Sequence, residues 1–210
     1  MAKSNLIIPT DCGVSRVFLP LVDSVLEYPD KITKNDIVLF EGGTDVNPSL
    51  YGDPKGSRTG FSDHQRDAKE WKFFNLAQEA GAFCLGICRG AQFLTALSGG
   101  KLFQDVTGHT SDHAILTDEG KEFYVTSTHH QMCNPFNLPD GYFELIAWSI
   151  PRRSKYYLKG EDKEVEEPPV EPEIIWYPKT RSLAIQGHPE YLVDNATYPV
   201  FCRNLVDKLF

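Results

Sequence analysis

The chain has 210 residues, 41% of them hydrophobic, which predicts a single globular domain over residues 1–210 with a sizeable core. A formal net charge of -8 argues against a nucleic-acid partner, because binding to a phosphate backbone needs a basic surface. The first apolar run ends at Pro9 after three residues, and no later run reaches membrane-spanning length. We therefore expect a cytoplasmic protein with no membrane partner.

Short apolar runs and polar connections alternate in the first quarter of the chain. Asn5 to Ile8 predicts a first strand, and Val14 to Glu27 carries apolar residues at the spacing of a helix, despite Pro20. Ile37 to Phe40 predicts a buried strand that runs into a Gly42-Gly43 turn.

A longer helix is predicted for residues 63–80, with Asp63 as its N-cap and Gly81 ending it. Near its start, Arg66 and Asp67 are either a solvated ion pair or part of the cap. The apolar residues expected near one side of this helix are Trp71, Phe74, Leu76 and Ala77.

The stretch from Ala82 to Gln92 is the strongest local signal in the chain. Its apolar first half suits a strand buried on both faces, and Gly86-Ile87-Cys88-Arg89-Gly90 is typical of a sharp turn that presents a nucleophile between strand and helix. The helix that follows, Gly90 to Leu97, directs its N-H groups at the Cys88 sulfur, which favours thiolate. The alternative is a core strand that ends in a buried structural cysteine.

The other cysteines are interpreted as structural. Five cysteines without a repeated spacing fit a reducing compartment better than a disulfide framework. The four remaining cysteines are Cys12, Cys84, Cys133 and Cys202.

A second motif supplies partners for Cys88. After the apolar run Ser182 to Ile185, the chain places His188 and Glu190 two residues apart. A cysteine nucleophile needs a base, and the base needs a third group that orients it. Cys88, His188 and Glu190 are therefore a candidate catalytic triad.

Histidines, aspartate and cysteine between residues 109 and 133 raise the question of a metal site. None of their spacings is a recognised zinc spacing on a helix, and the neighbours His129 and His130 should face opposite sides of a strand. We therefore predict no metal. The residues considered are His109, Asp112, His113, His129, His130 and Cys133.

The last third of the chain predicts strands and a final helix. Tyr142 to Ile150 and Ile174 to Tyr177 should be antiparallel strands, and residues 160–173 between them are acidic and rich in proline. Such a segment predicts an exposed, mobile loop, either a solvated excursion or a recognition loop. Asn195 to Phe210 predicts an amphipathic helix.

Together, the motifs around Cys88 and His188 resemble those of the class I glutamine amidotransferase family, whose Cys-His-Glu triad hydrolyses the side-chain amide of glutamine. Three further stretches, at 41–52, 99–106 and 126–131, are similar to the branch of gamma-glutamyl-gamma-aminobutyrate hydrolase and other gamma-glutamyl hydrolases. Where this branch usually has asparagine, the chain has Thr126. The resemblance implies an α/β fold, an open, mostly parallel sheet with helices on both faces, as in flavodoxin-like three-layer folds.

The same resemblance implies roles for residues around the triad. The N-H groups of Gly43 and Arg89 would form an oxyanion hole, and residues 127–131 would lie beside the substrate and hold its alpha-amino and carboxylate ends. The family needs no metal or cofactor. The implied substrate-binding residues are Gly42, Gln92, Ser127, His129 and His130.

Three functions are compatible with these motifs. In the first, a small gamma-glutamyl amide is hydrolysed through a thioester on Cys88; the stretches shared with the hydrolase branch favour this reading. In the second, the chain is a glutaminase that passes ammonia to a separate synthetase. In the third, it is a non-catalytic scaffold, which a missing triad residue would indicate; none is missing.

Overall fold

The computed structural model describes residues 4–10, 15–27, 29, 31–194 and 196–210. Three positions used above, Cys12, Val14 and Asn195, lie outside these ranges. The helices are α1 (His64–Ala80), α2 (Arg89–Leu97) and α3 (Thr197–Leu209). In chain order, the strands of the described ranges are β1 (Asn5–Ile7), β2 (Ser24–Leu26), β3 (Ile37–Phe40), β4 (Phe83–Ile87), β5 (Lys101–Phe103), β6 (Asp105–Val106), β7 (His113–Thr117), β8 (Glu122–Val125), β9 (Met132–Asn134), β10 (Glu144–Ile150), β11 (Tyr157–Leu158), β12 (Glu164–Val165), β13 (Pro172–Tyr177) and β14 (Ser182–Ile185).

A central sheet of nine strands organises the described residues, in the order β2-β1-β3-β4-β14-β13-β10-β7-β8. Neighbours from β2 to β14 pair in parallel, and those from β14 to β8 pair antiparallel, so β10 and β8 also follow the direction of the parallel set. This arrangement confirms the predicted mostly parallel sheet. Two smaller sheets, β12-β11-β6 and β5-β9, complete the strands of the described ranges.

Helices cover both faces of the parallel half. Alternate residues of β3 and β4 point to opposite faces, as strand geometry requires. On one face Val38 and Cys84 pack in the same cluster as buried residues of α1 and α2. On the other face Leu39 and Leu85 pack in a cluster with buried residues of α3.

Local capping determines where α1 begins and ends, as predicted. The Asp63 carboxylate accepts hydrogen bonds from the N-H groups of Gln65 and Arg66 at 3.0 and 3.1 Å, and Gly81 ends the helix at φ 68°. The predicted apolar side is only partly correct. Phe73, Phe74 and Ala77 are buried, whereas Trp71 and Leu76 are 41% and 39% exposed.

The helix predicted from Val14 to Glu27 is wrong over the described residues. They form two single 3-10 turns, Ser15–Val17 and Leu19–Leu21, and then strand β2. Pro20 has no N-H to donate to a continuing helix. Residues 24–26 instead extend the edge of the sheet by pairing in parallel with β1.

The acidic segment at 160–173 is exposed over much of its length, but the predicted boundary is wrong. Glu171 and Glu173 are each only 1% exposed, and β13 already begins at Pro172. Their carboxylates have specific buried partners, because Ser149 donates to Glu171 and His113 contacts Glu173. Composition cannot reveal such pairing. The predicted antiparallel pairing of β10 with β13 is confirmed.

The remaining predictions concern the cysteines and the final helix. Cys84, Cys133 and Cys202 are free and buried, consistent with structural roles. The predicted C-terminal helix is confirmed as α3, which packs Leu205 and Val206 against the sheet. Of the helices described here, none combines the length and the apolar composition that crossing a membrane would require.

Candidate active site

The turn between β4 and α2 is as sharp as the sequence predicts. Cys88 adopts φ 51° and ψ -106°, a conformation that side chains rarely take and that costs on the order of 1–3 kcal/mol. The flanking glycines permit close approach of backbone segments: a Cβ atom on Gly86 would lie 2.4 Å from the Gly90 carbonyl oxygen, and one on Gly90 would lie 1.9 Å from the Phe40 carbonyl oxygen.

Adjacent parallel strands bring the three triad candidates together. Ile87 of β4 and Ile185 of β14 are register partners, and Cys88 and His188 follow these strands. Cys88 and His188 line the same cavity, and His188 Nδ1 lies 2.6 Å from Glu190 Oε1. The carboxylate can only accept, so Nδ1 carries a proton that it donates to Glu190.

The charge on His188 is favoured by its surroundings. Burial lowers the pKa of His188, but its interactions with Cys88 and Glu190 outweigh this effect and raise the pKa to about 10. Two threonines that the sequence did not identify as site residues also hold this histidine. Thr128 Oγ1 lies 3.0 Å from Nε2, and the Thr126 carbonyl accepts from the His188 N-H at 2.9 Å.

A cavity of about 250 Å³ opens beside Cys88. It collects most of the predicted site residues, and its lining is largely polar. Gly42 adjoins it, because a Cβ atom there would be 3.3 Å from His188 Cε1 and 3.8 Å from Cys88 Cβ. The cavity is lined by Gly43, Asp45, Cys88, Gln92, Thr128, His129, His130, Gln131, His188 and Tyr191.

Ser127 is the predicted substrate-binding residue that the structure places elsewhere. It does not line the cavity, and its hydroxyl donates to the His109 carbonyl oxygen at 2.5 Å. The side chain is 1% exposed and therefore supports the loop from inside the protein.

Gln92 and His129 are held by the same carbonyl group. Gln92 Nε2 donates to the Gln131 oxygen at 3.0 Å, and His129 Nδ1 donates to it at 2.8 Å. Gln92 is 3% exposed, so its side chain is buried beside the cavity and not on the outer surface. This shared acceptor orients two cavity-lining side chains.

The prediction that His129 and His130 face opposite sides of a strand is wrong, because both lie in a loop and both line the cavity; the contacts of the His130 ring differ from those of His129. His130 Nε2 lies 3.2 Å from Asp45 and its Nδ1 lies 3.0 Å from Asp105. The hydrogen bond to Asp45 is the main reason that the pKa of His130 rises to about 9; partial burial opposes it, and Asp105 adds to it. Asp45, which contacts this histidine inside the cavity, was not identified from the sequence.

Tyr191 covers His188 at the cavity mouth. The two rings are parallel within 2°, their centroids are 4.5 Å apart, and Tyr191 is 60% exposed. This residue directly follows Glu190 and was also missed from the sequence.

Neither predicted role of Arg66 and Asp67 is correct. Asp63 caps the helix without them, and Asp67 is 4% exposed, paired with the buried guanidinium of Arg89. Glu70, one turn further along α1, pairs with both Arg66 and Arg89. The spacing of Arg66 and Glu70 on one helix face was the available signal in the sequence.

A buried cluster of histidine and glutamate side chains lies next to His129, on the side away from the cavity residues described above. His109 contacts Glu171 at 3.3 Å and Glu173 at 3.1 Å, and His113 contacts Glu173 at 3.0 Å. Burial lowers the pKa of His109, but these carboxylates raise it to about 9. Burial raises the pKa of Glu171 and of Glu173, yet contacts with polar neighbours, with His109 first among them, hold both pKa values below the usual range.

Within the described ranges, His109, His129 and Glu173 are also the one group whose ligand atoms come close enough to suggest a metal ion. These atoms lie within 4.8 Å of one another, whereas tetrahedral zinc requires separations of about 3.3 Å. His109 already bridges two glutamates through both ring nitrogens. The donor set therefore fits charge pairing better than coordination.

The cluster should make stability depend on pH above neutrality. Below pH 6.5, His109 is protonated in both the folded and the unfolded chain, and its ion pairs contribute fully. Between pH 6.5 and about 9 only the folded chain retains the proton, so rising pH lowers the free energy of unfolding. Urea unfolding of wild type and His109→Gln across this window should show a difference in stability that shrinks as pH rises.

His64→Gln serves as the control for this experiment, since His64 contacts only Asn47 at the surface among the described hydrogen bonds. His130 and His188, whose pKa values are also raised, contribute in the same window, so the quantity of interest is the difference between wild type and variant. A difference that stays constant from pH 6.5 to 9 would show that His109 is not charged in the folded protein.

Comparison with known proteins gives a family and a fold. The Peptidase C26 family model matches residues 5–134, from β1 to the end of β9, which is more than half of the chain and ends before His188. A glutamine amidotransferase-like protein of Lactococcus lactis subsp. lactis is 37% identical over 101 residues, covering 48% of this chain and 42% of that protein. The chain spans about half the length of the curated relatives it matches.

Solved structures of low identity share the whole fold. PurLQS from Thermotoga maritima superposes with a TM-score of 0.61 at 13% identity, covering 99% of this chain and 100% of that chain. The glutaminase domain of Trypanosoma brucei CTPS with bound acivicin gives a TM-score of 0.59 at 11% identity, covering 99% and 94%. The elbow, meaning the sharp turn from Gly86 to Gly90, lies inside the matched region, and the shared fold surrounds it. The chain therefore belongs to the Peptidase C26 family and is glutamine amidotransferase-like.

Proposed function

We propose that the protein is a cysteine-dependent amidohydrolase that cleaves a gamma-glutamyl amide, either glutamine or a gamma-glutamyl amine. The observation that carries this proposal is that Cys88 and His188 line one polar cavity while Glu190 holds the His188 ring by a hydrogen bond. A nucleophile, a base and an orienting carboxylate are the parts that acyl transfer requires.

In the proposed reaction, the Cys88 thiolate attacks the side-chain carbonyl carbon and forms a C-S bond. The N-H groups of Gly43 and Arg89 stabilise the oxyanion, and His188 gives a proton to the departing ammonia or amine as the C-N bond breaks. Water, deprotonated by His188, then attacks the thioester and releases glutamate. Glu190 keeps the imidazole oriented throughout.

The cavity supports a small substrate with a free amino-acid end. Its volume of about 250 Å³ suits a small amide rather than a protein segment. His130 is protonated at neutral pH because its pKa is raised to about 9, but its two ring nitrogens already contact Asp45 and Asp105, which leaves this side of the cavity net negative. Asp45, beside it, can attract an ammonium group. Gln92 and His129 would complete the binding surface beside Gly42.

A second candidate function is a glutaminase subunit that supplies ammonia to a separate synthetase. It is favoured by the shared fold with PurLQS and with the glutaminase domain of CTPS, each over 99% of this chain. A non-catalytic scaffold is the least favoured function, because every member of the candidate triad is present, His188 contacts Glu190, and Cys88 lines the same cavity as His188.

Glutamate release from L-glutamine and from gamma-glutamyl-gamma-aminobutyrate, measured side by side with Cys88→Ala as the blank, tests the proposal. Rapid cleavage of the gamma-glutamyl amine is the expected result for a self-sufficient hydrolase. Glutaminase activity alone, or slow turnover of both substrates, would favour the synthetase-dependent function. Release from neither substrate above the blank would contradict the proposed activity.

A further inference from the structure

A buried network of charged side chains lies beneath the Gly42-Gly43 turn. Arg66, in the first turn of α1, donates from Nη1 to the Gly42 carbonyl and from Nη2 to the Glu41 carbonyl, both at 2.9 Å. Its Nε donates to Glu70 Oε1 at 2.7 Å. The Arg66 side chain is only 10% exposed, so three of its donors are committed in a place that water scarcely reaches.

The contact with Gly42 determines the direction of the next N-H group. The Gly42-Gly43 peptide bond is trans, since the only cis bond of the described residues is Ile150-Pro151. In a trans peptide the C=O and the N-H point in opposite directions. A guanidinium that holds the Gly42 oxygen therefore directs the Gly43 N-H away from Arg66, and Gly43 lines the cavity that contains Cys88.

The same contact explains why residue 43 is glycine. Its φ of 149° is outside the range that other residues readily adopt, and a Cβ atom there would lie 2.2 Å from Arg66 Nη1. The guanidinium thus occupies the space next to the Gly43 α-carbon. The turn can take this shape only while position 43 lacks a side chain.

Glu70 connects this turn to the nucleophile elbow. One carboxylate oxygen accepts from Arg66, and the other accepts from Arg89, whose side chain is also held by Asp67. Arg89 is the first residue of α2 and directly follows Cys88. One buried carboxylate therefore joins the residues on either side of the proposed oxyanion hole, and Glu70 itself is 1% exposed.

We infer that Arg66 is a positioning residue that, through the Gly42 carbonyl and Glu70, fixes the Gly43 and Arg89 N-H groups at the spacing an oxyanion needs. The inference rests on the proposed function. A charged donor on the Gly42 carbonyl also polarises that peptide group, which strengthens its N-H as a donor. Arg66 itself touches no substrate and takes no proton.

Arg66→Lys is the decisive variant. Lysine keeps the positive charge but replaces a planar fork by a single flexible ammonium, which cannot serve two carbonyls and Glu70 in the same geometry. We expect kcat for gamma-glutamyl amide hydrolysis to fall about 100-fold, the effect of losing one oxyanion donor, with KM changed by less than about twofold.

Alkylation of Cys88 by iodoacetamide separates this role from general damage to the site. That reaction forms a C-S bond and expels iodide, so no oxyanion develops and the contacts that Arg66 makes with Gly42 and Glu70 are not needed. We expect the alkylation rate of Arg66→Lys to stay within about twofold of wild type, because thiolate formation depends on His188 and α2. Two further variants show whether an effect comes from misfolding. Glu70→Gln should lower kcat for hydrolysis while leaving the alkylation rate unchanged. Arg66→Ala should regain part of its kcat when millimolar guanidinium is added.

Arg203→Lys is the matched control, because Arg203 on α3 also donates to two backbone carbonyls, those of Val17 and Asp194. It should retain wild-type kcat. Wild-type kcat in Arg66→Lys, or a parallel loss of hydrolysis and alkylation, would overturn the positioning role. Absence of hydrolysis by wild type would instead overturn the proposed function itself, so the two failures are distinguishable.

Discussion

Cys88→Ala is expected to lower glutamate release from gamma-glutamyl amides at least about 10,000-fold, because the thioester cannot form without the sulfur. The fold should persist. Cys88 is 7% exposed and lines the cavity. The substitution therefore removes one sulfur atom beside that space and leaves the centre of the core unchanged. The measurement is glutamate release at saturating substrate, with thermal unfolding to confirm that the variant is folded.

Cys202→Ala is the matched control for the nucleophile. Cys202 is equally a free cysteine, but it is fully buried on α3 among apolar residues. Burial raises the pKa of its thiol well above the ordinary value, so it should neither react nor contribute to turnover. Hydrolysis by Cys88→Ala at the rate of Cys202→Ala would refute Cys88 as the nucleophile.

Gly90→Ala should lower the free energy of unfolding by at least about 3 kcal/mol. The sign of this change in the free energy of unfolding is informative, because replacing glycine by alanine inside an unobstructed helix has the opposite effect and stabilises a protein by about 1 kcal/mol. Here the new Cβ atom would lie 1.9 Å from the carbonyl oxygen of Phe40 and 2.5 Å from its carbonyl carbon. Both are backbone atoms, so β3 and α2 would have to separate.

Gly120→Ala gives the comparison that isolates this clash. Gly120 lies in the turn between β7 and β8 at φ 77°, and a Cβ atom there would meet nothing within 4 Å. Its cost is therefore only the strain of a left-handed backbone, about 1–2 kcal/mol. Urea unfolding of both variants measures the difference. If Gly90→Ala is as stable as Gly120→Ala or more so, the close packing of the elbow against β3 is not present in solution.

The parts of the fold that the sequence predicted are those set by local chemistry. The elbow around Cys88 follows from two glycines at fixed spacing, and the ends of α1 follow from Asp63 and Gly81. The open, mostly parallel sheet with helices on both faces was predicted from the family resemblance, and the fold confirms it. The candidate triad residues Cys88 and His188 come together because β4 and β14 are neighbours.

What the sequence did not reveal depends on contacts between distant segments. Arg66 reaches the carbonyls of residues 41 and 42, which lie 25 and 24 positions away, so composition around Arg66 gave no sign of its partners. Glu173 lies in an acidic, proline-rich stretch typical of loops, yet it is buried because His113 approaches from a different strand. Ser127 shows the converse: a position inside a recognised motif whose side chain turns inward.

The parallel stacking of Tyr191 on His188 makes the tyrosine a natural reporter. An aromatic ring 4.5 Å from an imidazole senses whether that imidazole carries a charge. The proton resonances of Tyr191 in a nuclear magnetic resonance spectrum should therefore shift whenever His188 gains or loses its proton. Proton movement in this site can thus be followed on a side chain that handles no proton itself, with the triad left intact.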